Sequence, residues 1–210
     1  CYLLAYALSA CGVAAAAERV AWTTSHVVGT PEPPLPFRTE RVWPTLSFKQ
    51  PTLLAVDPAN VRMYVGEQAG KLWSFVKGDA DPTKSLVLDL TTLTLPEDQS
   101  VDALYGMAFD PEFSSNRSVY LCYVLKGKPN EVLLSGSRVS RFRLRETDPP
   151  TLDPATETLI YTYRAGGHNG GCLEFGPDGC LYISTGDAAG PNPPDTLRTG
   201  QDCSDDLSSI

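Results

Sequence analysis

The chain has 210 residues, 42% of them hydrophobic and 20% charged, which is enough apolar material to bury the core of one or two domains. Its formal net charge of −8 and its lack of any Lys/Arg run argue against nucleic-acid binding; Arg138, Arg141, Arg143 and Arg145 alternate along one strand as a solvated face does. Zinc and covalent haem have no support either, because no Cys-x-x-Cys, Cys-x-x-Cys-His or His-Glu-x-x-His occurs.

Residues 2–17 form an uncharged apolar run that ends in small residues, as the core and cleavage zone of a secretory signal do. Cleavage after Ala17 competes with a lipoprotein box, Leu8-Ser9-Ala10-Cys11, in which Cys11 carries the lipid. Either signal implies export to the periplasm, the cell surface or the medium, and a lipid on Cys11 is the one expected membrane attachment. The run is short of the ~20 residues that span a bilayer. Residues 18–47 read as an extended strap, since Pro31, Pro33, Pro34 and Pro36 cannot join a central strand. His26 in this strap reads as a packing or surface residue, and Trp22, Trp43 and Trp73 as packing residues.

From Phe48 onward one unit recurs: an apolar strand, a turn containing Asp-Pro or Pro-Asp, and a second strand carrying Tyr. Its copies turn at Asp57-Pro58, Asp110-Pro111 and Pro177-Asp178. The first unit predicts strands at 52–56, 62–67, 70–76 and 85–90, and the second at 103–109, 118–124, 137–144 and 158–163. A third begins with a hairpin at 171–175 and 180–185. Four short antiparallel strands per unit predict an all-β chain of β-propeller blades, with a β-sandwich as the alternative. Closure takes roughly 4–8 blades, so about two and a half four-stranded blades read as the N-terminal part, residues 48–210, of a longer propeller.

The third hairpin carries the chemistry. Gly176-Pro177-Asp178-Gly179 is a four-residue turn signal. If Phe175 pairs with Cys180 across it, the same ladder carried to its open end sets His168 directly opposite Asp187, with Cβ atoms roughly 4.5–5.5 Å apart. A carboxylate beside an imidazole fixes the ring's tautomer and suits it to act as a general base, although a polar strand end satisfied by its neighbour would look the same. Gly166, Gly167, Gly170 and Gly171 are expected to leave backbone open to a flat ligand. The same register puts Cys180 on a face with Leu173, Phe175 and Tyr182, and Cys172 on the other with Glu174. Buried free thiols are expected for Cys122, Cys172 and Cys180, with a bridge from Cys203 left open. Asp202, Asp205 and Asp206 read as a solvated loop, and the sequon Asn116-Arg117-Ser118 as a polar turn.

Ala103-Leu104-Tyr105-Gly106-Met107-Ala108-Phe109-Asp110-Pro111-Glu112-Phe113, followed by Asn116 and Val119-Tyr120, resembles a signature of the glucose/sorbosone dehydrogenase family. The stretch His168–Asp187 is similar to that family's second, longer signature, and Val65-Gly66-Glu67-Gln68-Ala69-Gly70-Lys71 to its first-blade segment. The resemblance implies a six-bladed propeller that oxidises aldose sugars with pyrroloquinoline quinone and calcium and hands the electrons to a quinone or cytochrome. It makes His168 the base and Asp187 the carboxylate that orients it, with Asn169 and Gln99 as cofactor contacts. No metal ligand is assigned within the chain. Two polar family positions, a Gln before the Leu-Leu-Gly signature and an Arg shortly after the histidine, fall on Val101 and Gly171. An exported quinoprotein sugar dehydrogenase is therefore set against a non-catalytic extracellular propeller that binds partners, and against a propeller lactonase in which His168 and Asp187 activate water.

Overall fold

The computed structural model describes residues 37–208 except 130, 191 and 194. The signal run with Cys11, Trp22, His26 and the prolines of the strap lie outside the described residues. The described chain is a succession of antiparallel strands: β1 (Pro51–Val56), β2 (Arg62–Glu67), β3 (Lys71–Val76), β4 (Ser85–Asp89), β5 (Ser100–Phe109), β6 (Ser118–Lys126), β7 (Ser137–Arg145), β8 (Thr151–Tyr163), β9 (Gly170–Phe175) and β10 (Leu181–Thr185), with one α-helical turn, α1 (Phe113–Asn116), and two short 3-10 turns. They form two four-stranded meanders, β1-β2-β3-β4 and β5-β6-β7-β8, and the hairpin β9-β10.

The meanders stack face to face as propeller blades. Tyr64, Leu72, Leu88 and Leu90 of the first blade bury against Leu104, Leu121, Tyr123 and Phe142 of the second. On the second blade's other face, Ala108, Cys122, Val139 and Tyr163 bury against Leu173 of the hairpin. Each fully buried Leu or Phe among them contributes about 1.5–3 kcal/mol by leaving water. The innermost strands run side by side, since Leu54–Val56, Met107–Phe109 and Leu173–Phe175 line one cavity of about 300 Å³. Before β1, Trp43, Leu46 and Phe48 cover Met63, Val65 and Phe75, with Trp43 edge-on to Phe75 at 4.8 Å.

Each inner hairpin is closed by the recurring aspartate, whose short carboxylate reaches the N–H groups that the turn leaves without ladder partners. Asp57 accepts from the N–H of Val61 (2.7 Å) and Arg62 (2.9 Å). Asp110 accepts from Glu112 N (2.9 Å), Asn116 Nδ2 (2.8 Å) and Tyr120 Oη (3.1 Å). Asp178 accepts from Cys180 N and Tyr182 Oη, both at 3.0 Å. The amide of the sequon residue Asn116 thus pins the turn.

The strands fall within two residues of the sequence reading except at two places. β8 begins at Thr151, well before the expected 158, because the ladder skips from Arg143↔Asp153 to Arg141↔Thr158. Pro154, which has no N–H to give, sits inside that bulge, and Thr156 Oγ1 accepts the Arg143 N–H at 2.9 Å in place of a strand carbonyl. The other is β5, which starts at Ser100, three residues before the expected 103.

Candidate active site

The turn of the third hairpin is one residue longer than its four-residue signal suggests. Gly176 O accepts from Gly179 N at 3.0 Å, Gly176 N donates to Cys180 O at 2.9 Å, and Gly179 takes φ +77. This is a three-residue loop, a turn followed by a left-handed glycine. Phe175 therefore pairs with Leu181 and not with Cys180, and Leu173 with Ile183. A bulge between Ile183 and Thr185 then moves the register back, so that Thr185 pairs with Gly170. The two one-residue displacements cancel at the open end of the hairpin. His168 Nδ1 lies 3.0 Å from Asp187 Oδ1.

The corrected register also corrects the faces. Leu173, Phe175, Leu181 and Ile183 turn inward together. Cys180 and Tyr182 are exposed, and Cys172 is exposed as well. Of the described cysteines only Cys122 is buried; all four are free, and Cys203 forms no bridge.

Asp187 is held by its own downstream chain. Its Oδ1 also accepts from Ala189 N (2.9 Å), and its Oδ2 from Asp195 N (3.1 Å). The Ala189 N–H, helped by the His168 ring and the Asp195 N–H and opposed by partial desolvation, keeps the carboxyl below its usual range. An ionised acceptor on Nδ1 assigns the ring proton to that nitrogen, leaving the Nε2 lone pair free. The His168 side chain is 46% exposed and that of Asp187 only 15%, so the imidazole faces outward from a fixed base.

The glycines around the pair serve packing and do not form the open platform expected from the sequence. A Cβ on Gly166 would sit 1.9 Å from Ala188 O, one on Gly167 2.2 Å from Ala189 O, and one on Gly186 2.1 Å from His168 O. Backbone pressed on backbone in this way allows His168 N to donate to Ala189 O (3.0 Å) and Ala188 N to His168 O (3.0 Å). Gly171 (φ +101) and Gly106 interlock the inner strands: a Cβ on Gly106 would meet Gly171 O at 1.9 Å, and one on Gly171 the Cys122 sulfur at 2.8 Å. A long side chain at 171 has no room.

Asn169 is buried, and its side chain is engaged inside the loop. Oδ1 accepts from Gly166 N (2.8 Å) and Ser137 Oγ (3.3 Å), and Nδ2 donates to Gly166 O (2.9 Å). Tyr163 Oη donates to Asn169 O at 2.8 Å from below. Neither Ser137 nor Tyr163 stands out in the sequence, where both read as ordinary strand residues. Gln99 is half-buried in the loop leading into β5, with its N–H on Pro96 O at 3.1 Å. Val101 is buried in the core between the two blades, where its Cγ1 is 3.0 Å from the place of a Cβ on Gly70, so its position does not face the pair. The acidic run closes its own turns: Asp202 accepts from Ser204 N (2.8 Å), Asp205 from Leu207 N (2.9 Å), and Asp206 from Tyr161 Oη. Among the described residues no three His, Cys, Asp or Glu side chains are grouped to hold a metal ion.

Successive antiparallel four-stranded blades define a β-propeller fold, and the His168–Asp187 pair lies at the open end of its third hairpin. A family model for glucose/sorbosone dehydrogenases matches residues 48–207, and the chain belongs to that family. Its fold is similar to solved sugar dehydrogenases. One is the pyrroloquinoline-quinone-bound aldose sugar dehydrogenase of Streptomyces coelicolor, at 23% identity over 68% of this chain and 39% of that one, TM-score 0.50. Another is the soluble aldose sugar dehydrogenase of Escherichia coli in its apo form, at 21% identity over 76% and 42%, TM-score 0.53. A glucose dehydrogenase matches at 21% over 76% and 43%, TM-score 0.55. The chain thus spans about two fifths of the length of these structures.

Proposed function

We propose that the intact protein is an exported sugar dehydrogenase that oxidises an aldose or related sugar hydroxyl with pyrroloquinoline quinone. The observation that carries this reading is the His168–Asp187 pair, with Nδ1 tied to an ionised carboxylate and the other ring edge open. An alcohol is a poor hydride donor until its O–H proton is being removed. His168 Nε2 takes that proton, while Asp187 keeps the ring in the competent tautomer and stabilises the imidazolium that forms. Bound quinone supplies the two-electron acceptor for the hydride, and a second quinone or a cytochrome would then draw the electrons away.

The open, outward-facing imidazole edge leaves His168 accessible to a bound cofactor, and Gln99 is kept as a candidate contact on the family resemblance. Calcium enters as a cofactor on the family resemblance alone, with no ligand assigned among the described residues. Export rests on the signal-like run 2–17 and the alternative lipid attachment at Cys11.

The competing reading, a non-catalytic extracellular module, draws on Val101, buried where the family carries a polar side chain. One experiment separates the two. Full-length protein purified without cofactor is titrated with pyrroloquinoline quinone in the presence of calcium, following quinone absorbance and aldose-dependent dye reduction. Saturable binding with sugar-dependent reduction is expected; neither would leave the interaction module. Lactone hydrolysis without quinone would point to water activation by the same pair.

A further inference from the structure

We propose that Asn169, seated on Tyr163 and Ser137, is a positioning residue that sets the orientation of His168, and that its side chain makes no contact with cofactor or substrate. The inference rests on His168 being the base.

Asn169 follows His168 directly, yet the two side chains do opposite things. The imidazole is 46% exposed, whereas Asn169 is 6% exposed as a whole residue. Its amide spans the preceding turn, taking the Gly166 N–H on Oδ1 (2.8 Å) and giving an N–H to Gly166 O (2.9 Å). Both backbone groups of Gly166 are therefore tied to one planar side chain. Because that amide is rigid, it fixes the distance between residues 166 and 169, and with it the backbone on which His168 stands. Close approach of Gly166, Gly167 and Gly186 to the 188–189 and 168 backbones removes the remaining freedom, so the clamp and the glycines act on one segment.

The clamp is anchored in the second blade. Ser137 Oγ donates to Asn169 Oδ1 at 3.3 Å from the start of β7, and Tyr163 Oη to Asn169 O at 2.8 Å from the end of β8. Ser137 is 0% and Tyr163 2% exposed. Tyr163 Oη also lies 3.5 Å from Cys122 Sγ. Burial raises the Tyr163 hydroxyl far above its usual range, so it remains a donor at every working pH. A run of buried polar groups with each member satisfied rigidifies its surroundings. Here it ends one residue from the base, so the second blade sets the geometry of a histidine carried by the third.

The test uses full-length protein labelled with ¹⁵N-histidine. The His168 ring signals are assigned as those absent from His168→Gln. In wild type the Nδ1-protonated tautomer is expected, with a slowly exchanging Nδ1–H. Asn169→Ala should mix the tautomers and speed that exchange. In holoenzyme it should lower kcat at least 10-fold while the Kd for quinone and the KM for sugar change less than 3-fold. Tyr163→Phe keeps the ring in place and removes only the hydroxyl, so it guards against a folding failure; it should shift the same ring signals and lower kcat about 3- to 10-fold. Asn169→Asp keeps the acceptor to Gly166 N but loses the donor to Gly166 O, and should fall between wild type and Asn169→Ala in ring exchange. Unchanged ring signals in folded Asn169→Ala and Tyr163→Phe would overturn the proposal, as would a large loss of quinone affinity with normal ring signals. If the wild type proves to lack dehydrogenase activity, the proposed function fails, while the ring signals still decide whether Asn169 orients His168.

Discussion

Asp187 Oδ1 lies 3.0 Å from His168 Nδ1 and 2.9 Å from the N–H of Ala189, so one carboxylate oxygen ties the ring to the chain that runs on from β10. The pair is a junction between the two ends of one hairpin, and its oxygen cannot move toward the ring without lengthening its bond to the backbone. This is preorganisation: the acceptor that fixes the tautomer is in place before any substrate arrives.

Replacing that acceptor should cost turnover and leave binding in place. In Asp187→Asn the amide can present either O or N–H to Nδ1, and the tautomer lock is lost. A fall in kcat of about 10²–10⁴ with KM within a few-fold is expected from steady-state dye reduction on holoenzyme. A change confined to KM would show that Asp187 binds sugar instead.

The interlock of the inner strands should be as unforgiving as its geometry. Gly106→Ala puts a methyl 1.9 Å from Gly171 O, and Gly171→Ala adds a β-carbon 2.8 Å from the Cys122 sulfur at φ +101. Each is expected to lower unfolding free energy by about 2–4 kcal/mol in urea titrations, the range of overpacking combined with backbone strain. Gly179→Ala meets no neighbouring atom and bears only the φ +77 penalty, about 1 kcal/mol. Equal losses at all three sites would contradict the interlock.

Cysteine reactivity reads out the corrected hairpin faces. In native protein, alkylation mapped by mass spectrometry should label Cys172, Cys180 and Cys203 and spare Cys122, whose thiol burial raises to about 11. The neighbouring Asp178 carboxylate holds the Cys180 thiol above its usual value, so its labelling should lag at neutral pH and rise steeply with alkali. Protection of Cys180 to the same degree as Cys122 would restore the simple register.

Acid should destabilise the chain from a common cause. Asp110 is lowered because the bonds it accepts from Asn116, Glu112 and Tyr120 outweigh its desolvation; Asp178 is lowered by the Cys180 N–H and Tyr182, and Asp187 by the Ala189 N–H. A depressed folded value means stability that is fully present above the unfolded value of about 3.9 and lost as pH falls through the folded one. Urea midpoints should therefore hold steady from about pH 6 down to the ordinary carboxylate range and drop below it. A decline already complete at pH 5 would assign the acid response to other groups.

Much of this was legible in the sequence because strands alternate and Asp turns recur: β2, β6 and β7 lie close to where apolar periodicity puts them, and Asp57, Asp110 and Asp178 mark the inner hairpins. The simple register predicts the His168–Asp187 contact although it is one residue off at the turn, because the bulge near Ser184 restores it. A sequence gives Gly179 no mark that separates a left-handed residue in a three-residue loop from a member of a four-residue turn, and the simple register therefore puts Cys180 on the wrong face. In one dimension the glycines near His168 look like backbone open to a ligand, although the space beside Gly166 and Gly167 is filled by the 188–189 backbone and that beside Gly170 by the 184–186 backbone, which no local pattern reveals. Tyr163 and Ser137 stayed hidden because a buried hydroxyl that reaches another strand's carbonyl or amide looks, in one dimension, like any alternating strand residue.

The measurement that tests the central claim most directly is single-turnover reduction of the quinone-loaded, full-length protein by aldose, compared between wild type and His168→Ala. Loss of the base should slow the reductive step by a factor on the order of 10² or more, with quinone still bound and with partial recovery on adding imidazole. Reduction at the wild-type rate in His168→Ala would contradict the account and send the search for the base elsewhere in the propeller.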